Sequence, residues 1–328
     1  MFGEYLYLGF LLLLGLVALS KGSDWLTDSI APLAKKMGTS RSAVSIILVS
    51  IMVSLPEILV ALIATWMGHP VIGLGVIFGS ILCNIGLMTG LNGFLKPIHV
   101  ERAIIVRDGV FSVVFAVVVM AIGYDGVISR FEGLALFLLF IPYIITVWED
   151  ERLKSAELRE KDLKQTMVEL DMIGLQFGKM RAGVLTFVLG AALLLVGSQL
   201  FADAMTRIAE SSGISDLIIG LTLGAIGPSI PNIVAAYKAG QRGMDNVVVS
   251  ETLGSNIFTL LVTLGLLSLV APITLDPRWI RFDIPVMVIM SFALLIFLVT
   301  RRRISRLEGG ILFFGYLGVL LMQVLLYS

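Results

Sequence analysis

The stretch KGSDWLTDSIAPLAKKMGTS, residues 21–40, returns as VGSQLFADAMTRIAESSGIS at residues 196–215. Gly22 aligns with Gly197, Ser23 with Ser198, Asp28 with Asp203, Gly38 with Gly213 and Ser40 with Ser215, each pair 175 positions apart. The same offset relates Ser54 to Ser229, Pro56 to Pro231, Gly79 to Gly254, Ser80 to Ser255, Pro97 to Pro272 and Asp108 to Asp283. ISRFEG from Ile128 meets ISRLEG from Ile304 at an offset of 176, which one inserted residue explains. Unrelated apolar segments share composition, but they do not hold register through glycines, prolines and acids. The chain reads as an internal duplication.

What is duplicated is apolar. Of 328 residues, 57% are hydrophobic and 15% charged, and the mean hydropathy is +0.97. That is far from a soluble domain, and the apolar runs approach or exceed the ~20 residues a bilayer-spanning helix needs. A net charge of zero gives no nucleic-acid footprint, and one cysteine, Cys83, excludes a disulfide framework within the chain. Residues 6–19 are almost wholly apolar, yet MFGEY has no basic n-region and no small-residue cleavage site follows. Because the repeat includes this segment, it is expected to be a span rather than a signal peptide.

The expected architecture is all-α and polytopic: ten transmembrane helices in two inverted five-helix repeats. The spans fall at 4–31, 42–67, 69–95, 104–123 and 128–148, then 180–206, 215–240, 243–271, 282–300 and 307–327. This divides the chain into a first repeat (1–148), a charged cytoplasmic connecting loop (149–179) and a second repeat (180–328). With the N-terminus outside, the inner loops hold Lys35, Lys36, Arg41, Lys96, Arg102, Arg107, Lys238, Arg242, Arg301, Arg302, Arg303 and Arg306, besides the bases of the connector. The outer loops hold only Arg130, Arg207, Arg278 and Arg281. The positive-inside rule then places both termini outside an inner (plasma) membrane. An odd number of spans per half makes the second half enter from the opposite side, the arrangement of many secondary transporters, whose ion sites lie near the midplane.

The chemistry concentrates in SIMVSLPEILVALI, residues 50–63, and its counterpart. Pro56 has no N–H to give the carbonyl of Met52. Pro231 and Pro228 do the same to Gly227 and Gly224, so broken helices with free carbonyls are expected. Such carbonyls are tolerated at membrane depth where they line a cavity or bind a partner, and a hard cation is one such partner. Ser50, Ser54 and Glu57 fall on one helix face. Ser80 and Asn84 lie one turn apart, as do Ser255 and Thr259; Ser229 and Asn232 complete the set. Glu57 is the only carboxylate at the centre of these four segments, and an intramembrane carboxylate is a functional candidate by default. Taken singly, such serines more often pack helices or bond their own backbone, a proline more often only kinks, and a neutral glutamic acid bridges helices. The recurrence of Ser-x-Pro and Gly-Ser on adjacent spans of both halves is what favours a cation site.

These blocks resemble the α-repeats of the sodium/calcium exchanger family, within the cation/Ca²⁺ exchanger superfamily, in its prokaryotic form. The resemblance rests on SLPEILVAL with GSILCNIGL, and GPSIPNIVA with GSNIFTLLVTLG, and extends over essentially the whole chain. It implies electrogenic or proton-coupled cation antiport by alternating access, the first and sixth helices sliding past a fixed bundle. It also implies a site built from Glu57, Ser54, Asn84, Ser80, Ser229, Asn232, Ser255 and Thr259. The chain departs from the family pattern where Val53 and Pro228 replace threonines, Asn232 replaces the second acid, Thr259 stands where Asp or Asn is common, and Ile81 replaces the Asn of Gly-Ser-Asn. With Glu57 alone, a bound Ca²⁺ leaves one uncompensated positive charge; Na⁺, K⁺ or H⁺ leaves none.

Secondary candidates are Ser50 and Glu251. Glu251 lies one turn before Ser255, about 6 Å along the helix, and reads either as a displaced second acid or as a partner for a neighbouring base. Asp108 and Asp283 are expected to be boundary or capping groups, and Lys21 with Asp24 an i,i+3 ion pair. The expected function is Ca²⁺/Na⁺ antiport. The alternative is a monovalent cation (Na⁺ or K⁺)/H⁺ antiporter with Glu57 as its single protonatable ligand; a channel-like pathway or a non-transporting sensor is a third reading. Expected partners are the lipid bilayer and transported Ca²⁺, Na⁺ or H⁺, with no organic cofactor, no enzymatic activity and no large regulatory domain.

Overall fold

The computed structural model describes residues 2–37, 42–153, 157 and 183–327, and leaves the side chains of residues 2, 30–37, 42–50, 52, 53 and 151 undescribed. Among the described residues ten long helical segments follow one another: α1 (Phe2–Met37), α2 (Ser42–Trp66), α3 (Pro70–Leu95), α4 (Arg102–Asp125) and α5 (Arg130–Leu153), then α6 (Val184–Ser212), α7 (Asp216–Gln241), α8 (Asp245–Val270), α9 (Trp279–Arg301) and α10 (Arg306–Tyr327). Among the described residues, nine are long and apolar enough to cross a membrane, and the described apolar part of α2, Ser54–Trp66, is shorter. The chain is an all-α polytopic membrane protein.

Several boundaries differ from the sequence reading. Helix α5 runs on to Leu153, into the segment read as connector, and α6 runs on to Ser212, where Gly213 stops it at φ 69°, a left-handed conformation that glycine adopts without a Cβ penalty. Most of the connector, with Gly38, Ser40 and Arg41, lies outside the described residues. The repeated ISRFEG and ISRLEG motifs open α5 and α10 as capping boxes. In each, the Ser129 or Ser305 backbone N–H donates to Oε2 of Glu132 or Glu308 at 2.7 Å, and that glutamate's N–H donates to the serine Oγ at 3.3 Å.

Small residues let the longest helices meet backbone to backbone. Helices α1 and α6 run antiparallel in contact: Tyr5 Oη donates to Ser211 O, Gly15 lies against Phe201, Gly22 against Leu194 and Gly190 against Leu26. A Cβ on Gly22 would stand 2.5 Å from Leu194 N, and one on Gly197 2.6 Å from Leu19 N, so only glycine permits this approach. Helices α3 and α8 are buried along most of their length, whereas α5, α6 and α10 bury a third of theirs or less. The bundle's centre is therefore α3 and α8, with α2 and α7 against them.

Two short antiparallel ribbons tie the halves at the loops. β1 (Ile98–His99) pairs with β4 (Arg303–Ile304), and β2 (Val127–Ile128) pairs with β3 (Ile273–Thr274). Because β1 and β2 flank α4, the two ribbons sit at opposite ends of that helix.

Two sequence expectations change. The prolines do not break their helices: α2 runs through Pro56, and α7 through Pro228 and Pro231, without interruption. The flanking hydrogen bonds and lateral packing hold each helix across the missing donor, and in α7 a π-turn at Gly220–Gly224 precedes the prolines. Asp108 and Asp283 make no caps. Both are buried and cross-link helices: Asp108 accepts from Arg107 Nε at 2.8 Å and Tyr143 Oη at 3.2 Å, and Asp283 accepts from Gln323 Nε2 at 2.8 Å and from Tyr327 Oη. The Lys21–Asp24 pair is present at 3.5 Å.

Candidate cation site

Glu57 lies one residue beyond Pro56 in α2 and is 5% exposed. Its Oε1 accepts from Ser229 Oγ at 3.1 Å and from Asn232 Nδ2 at 3.2 Å, both on α7. Its Oε2 is buried and has no hydrogen-bond partner among the described residues. A buried carboxylate oxygen without a donor is costly, unless its partner is something the protein alone does not supply. Glu57 and Asn232 are separated by 175 residues, so two positions equivalent in the repeat face each other here.

A second group forms between α3 and α8. Asn84 Nδ2 donates to Ser255 Oγ at 3.2 Å and to Asn256 Oδ1 at 3.1 Å. Asn84 opens a π-turn, Asn84–Gly90, and Thr259, its equivalent in the repeat, opens another, Thr259–Thr263. Such turns re-aim side chains and recur at functional sites. Ser54, Ser80 and Thr259 are buried; no hydrogen bond among the described residues joins them to either group, and Ser80 Oγ has no partner there. The two groups are neighbours, because Ile58 beside Glu57 packs against Phe258 and Val262, which flank Thr259 on α8.

Glu251 lies on α8, partly buried, one turn before Ser255. The side chain of Ser50 lies outside the described residues. No cluster of three or more His, Cys, Asp or Glu side chains is poised around a metal among the described residues. The donors gathered here are a single carboxylate, hydroxyls and carboxamides, a set suited to hard cations rather than transition metals.

Sequence reasoning missed Asn256, wholly buried and bonded to Asn84. It also missed Thr89 and Thr252, whose hydroxyls join α3 to α8 at 2.8 Å. Asn256 directly follows Ser255 in GSN, but its repeat counterpart is Ile81, so repeat symmetry carries no signal for it.

A sodium/calcium exchanger protein family model matches residues 7–149 and again 182–325. The chain belongs to the sodium/calcium exchanger family. It is 30% identical to the sodium/calcium exchanger MaX1 of Methanosarcina acetivorans, covering 95% of this chain and 97% of that one. It is 31% identical to the inner membrane protein YrbG of Escherichia coli, over 87% of each chain. Among solved structures, that of the sodium-calcium exchanger NCX_Mj soaked with Na⁺ and Sr²⁺ superposes with a TM-score of 0.66 at 28% identity, over 97% of this chain and 99% of the other. This member of the family is accordingly a multi-pass membrane transporter for cations.

Proposed function

We propose that the chain is a secondary active cation antiporter of the sodium/calcium exchanger type, alternating access around a midplane site. The observation that carries this is Glu57: a buried carboxylate held on one oxygen by Ser229 and Asn232, with the other oxygen left without a protein donor. Glu57 binds the cation through Oε2. Ser54, Ser80, Asn84, Ser229, Asn232, Ser255 and Thr259 supply the remaining oxygens, with the carbonyls of Met52, Gly224 and Gly227 from which the prolines withhold a donor. Glu251, one turn before Ser255 on α8, draws in an approaching cation.

The proposed architecture is ten spans in two inverted repeats, residues 1–148 and 180–328, joined by a cytoplasmic connector at 149–179. Three features support an inverted duplication, the first its repeat and the other two its inversion. The family matches begin at 7 and 182 and end at 149 and 325, offsets of 175 and 176. Helices α1 and α6, equivalent in the repeat, run antiparallel. Strand β3 is the repeat equivalent of β1, yet it pairs with β2 at the other end of α4. Counting α2 as a span, both termini lie outside and the arginines of 301–306 inside. Close glycine packing of α1 on α6 suits a pair that slides past a fixed bundle.

A second reading keeps the fold and changes the cargo. Asn232 bonds Glu57 where a second acid would stand, so the site carries one formal charge. A monovalent cation or a proton neutralises it, whereas Ca²⁺ leaves one charge in excess. Under this reading Glu57 alternates between Na⁺ or K⁺ and a proton. Purified protein in liposomes decides: an outward Na⁺ gradient drives 45Ca²⁺ uptake under the first reading, and a pH gradient drives 22Na⁺ or 86Rb⁺ flux without calcium under the second. Flux down one ion's gradient with no counter-ion requirement contradicts both.

A further inference from the structure

A carboxamide can serve a cation only through its oxygen; turned around, it presents two N–H groups and repels the ion. Asn84 therefore needs something to decide which way it faces. Ser255, its hydrogen-bond partner on α8, cannot do so, because a hydroxyl accepts from an NH₂ group as readily as it donates to an oxygen. Asn256 is the second partner. Its Oδ1 receives Asn84 Nδ2 at 3.1 Å, alongside the 3.2 Å bond to Ser255 Oγ. Both N–H groups of Asn84 are thereby committed, and Oδ1 is what remains of the side chain for another partner.

We propose that Asn256 is a positioning residue of the cation site, holding the Asn84 carboxamide with its oxygen available to the ion. This rests on the cation-exchange reading above. Asn256 is wholly buried, and its own Nδ2 has no hydrogen-bond partner among the described residues. If the amide of Asn84 alone turned over, its Oδ1 would face Asn256 Oδ1, acceptor against acceptor, a penalty Ser255 does not impose; the two amides keep their bond only by turning together. The orientation of Asn84 is thus coupled to that of a residue one shell further out. Repeat asymmetry supports this division of labour. Thr259, the equivalent of Asn84, carries a hydroxyl that rotates to suit its ligand, and the equivalent of Asn256 on that side is Ile81, which has nothing to orient. The amide has an orienting partner, and the hydroxyl has none.

The test is a double-mutant cycle in proteoliposomes, reading KM and maximal rate for 45Ca²⁺ uptake driven by Na⁺, with 22Na⁺ uptake in parallel. Asn256→Leu is expected to raise KM about tenfold, the scale of one lost hydrogen bond to a ligand, with the maximal rate within about twofold of wild type. In an Asn84→Ala background, Asn256→Leu is expected to add nothing, since there is no amide left to orient. A wild-type KM in Asn256→Leu, or the same KM increase in both backgrounds, overturns the proposal. Asn256→Thr keeps an acceptor hydroxyl and serves if Asn256→Leu does not fold: its KM is expected within about threefold of wild type, and a tenfold rise contradicts the proposal. Wild-type protein that carries neither ion against a counter-gradient overturns the exchange reading itself, an outcome distinct from a transporting protein indifferent to Asn256.

Discussion

At the scale of single residues, the number of charges facing the ion decides which cation the proposed site serves. Glu57 accepts from Asn232 Nδ2 at 3.2 Å, where a second acid would repel it. Removing its charge with Glu57→Gln costs about 4 kcal/mol of attraction for a unit charge 4 Å away at an effective dielectric of 20. Gradient-driven cation flux at submillimolar ion is therefore expected to fall at least roughly 100-fold. Restoring the second acid with Asn232→Asp is expected to lower the KM for Ca²⁺ roughly tenfold while weakening monovalent transport; side-by-side 45Ca²⁺ and 22Na⁺ uptake curves check both. Glu57, Ser229 and Asn232 were legible because repeat symmetry and the proline pattern marked them. Asn256 was not, since a supporting residue on one side of an asymmetric pair leaves no repeated signal.

At the scale of elements, repeat-equivalent positions share a place but not a chemistry. Asp108 shares its site with Arg107, which also reaches Asp150 at 3.3 Å, whereas Asp283 is held by the neutral Gln323 and Tyr327. Asp108→Asn takes the nearer partner from a largely buried guanidinium and is expected to cost about 3 kcal/mol. Asp283→Asn, whose amide can still bond both partners, is expected to cost about 1 kcal/mol. Thermal melts of the two variants in detergent compare them directly. Sequence alone read both acids as boundary groups, because their positions near span starts were visible and their cross-helix partners, 35 to 44 residues away, were not. The proline helices teach a similar lesson: proline removes one donor, but whether a helix opens is decided by its neighbours. The α1–α6 contact gives a kinetic prediction. A side chain at Gly22 or Gly197 meets backbone at 2.5 or 2.6 Å. Gly197→Leu is expected to slow transport at least roughly tenfold with little change in KM, as measured by initial rates at saturating cation.

At the scale of the whole molecule, the duplication was legible from end to end, because the glycines, prolines and acids that keep its register are also those that cannot move without cost to packing. The helix ends were read less well, since capping chemistry rather than hydropathy sets them, as at Gly213 and Ser129. The proposed inversion makes its own prediction. Cys83 is buried and is the only cysteine, so single cysteines placed in a Cys83→Ala background report their side cleanly. Lys96→Cys and Arg303→Cys are expected to react with an impermeant thiol reagent from the inside only, and Arg130→Cys and Arg278→Cys from the outside only; labelling all four from one side contradicts the topology. The central claim is that this fold, with one carboxylate at its centre, exchanges cations. The measurement that tests it most directly is ion flux in sealed liposomes containing wild-type protein or Glu57→Gln, with imposed Na⁺, Ca²⁺ and H⁺ gradients. Uptake of one cation is expected to require an opposing cation gradient and to disappear in Glu57→Gln. Uptake that needs no counter-ion, or that survives in Glu57→Gln, contradicts it.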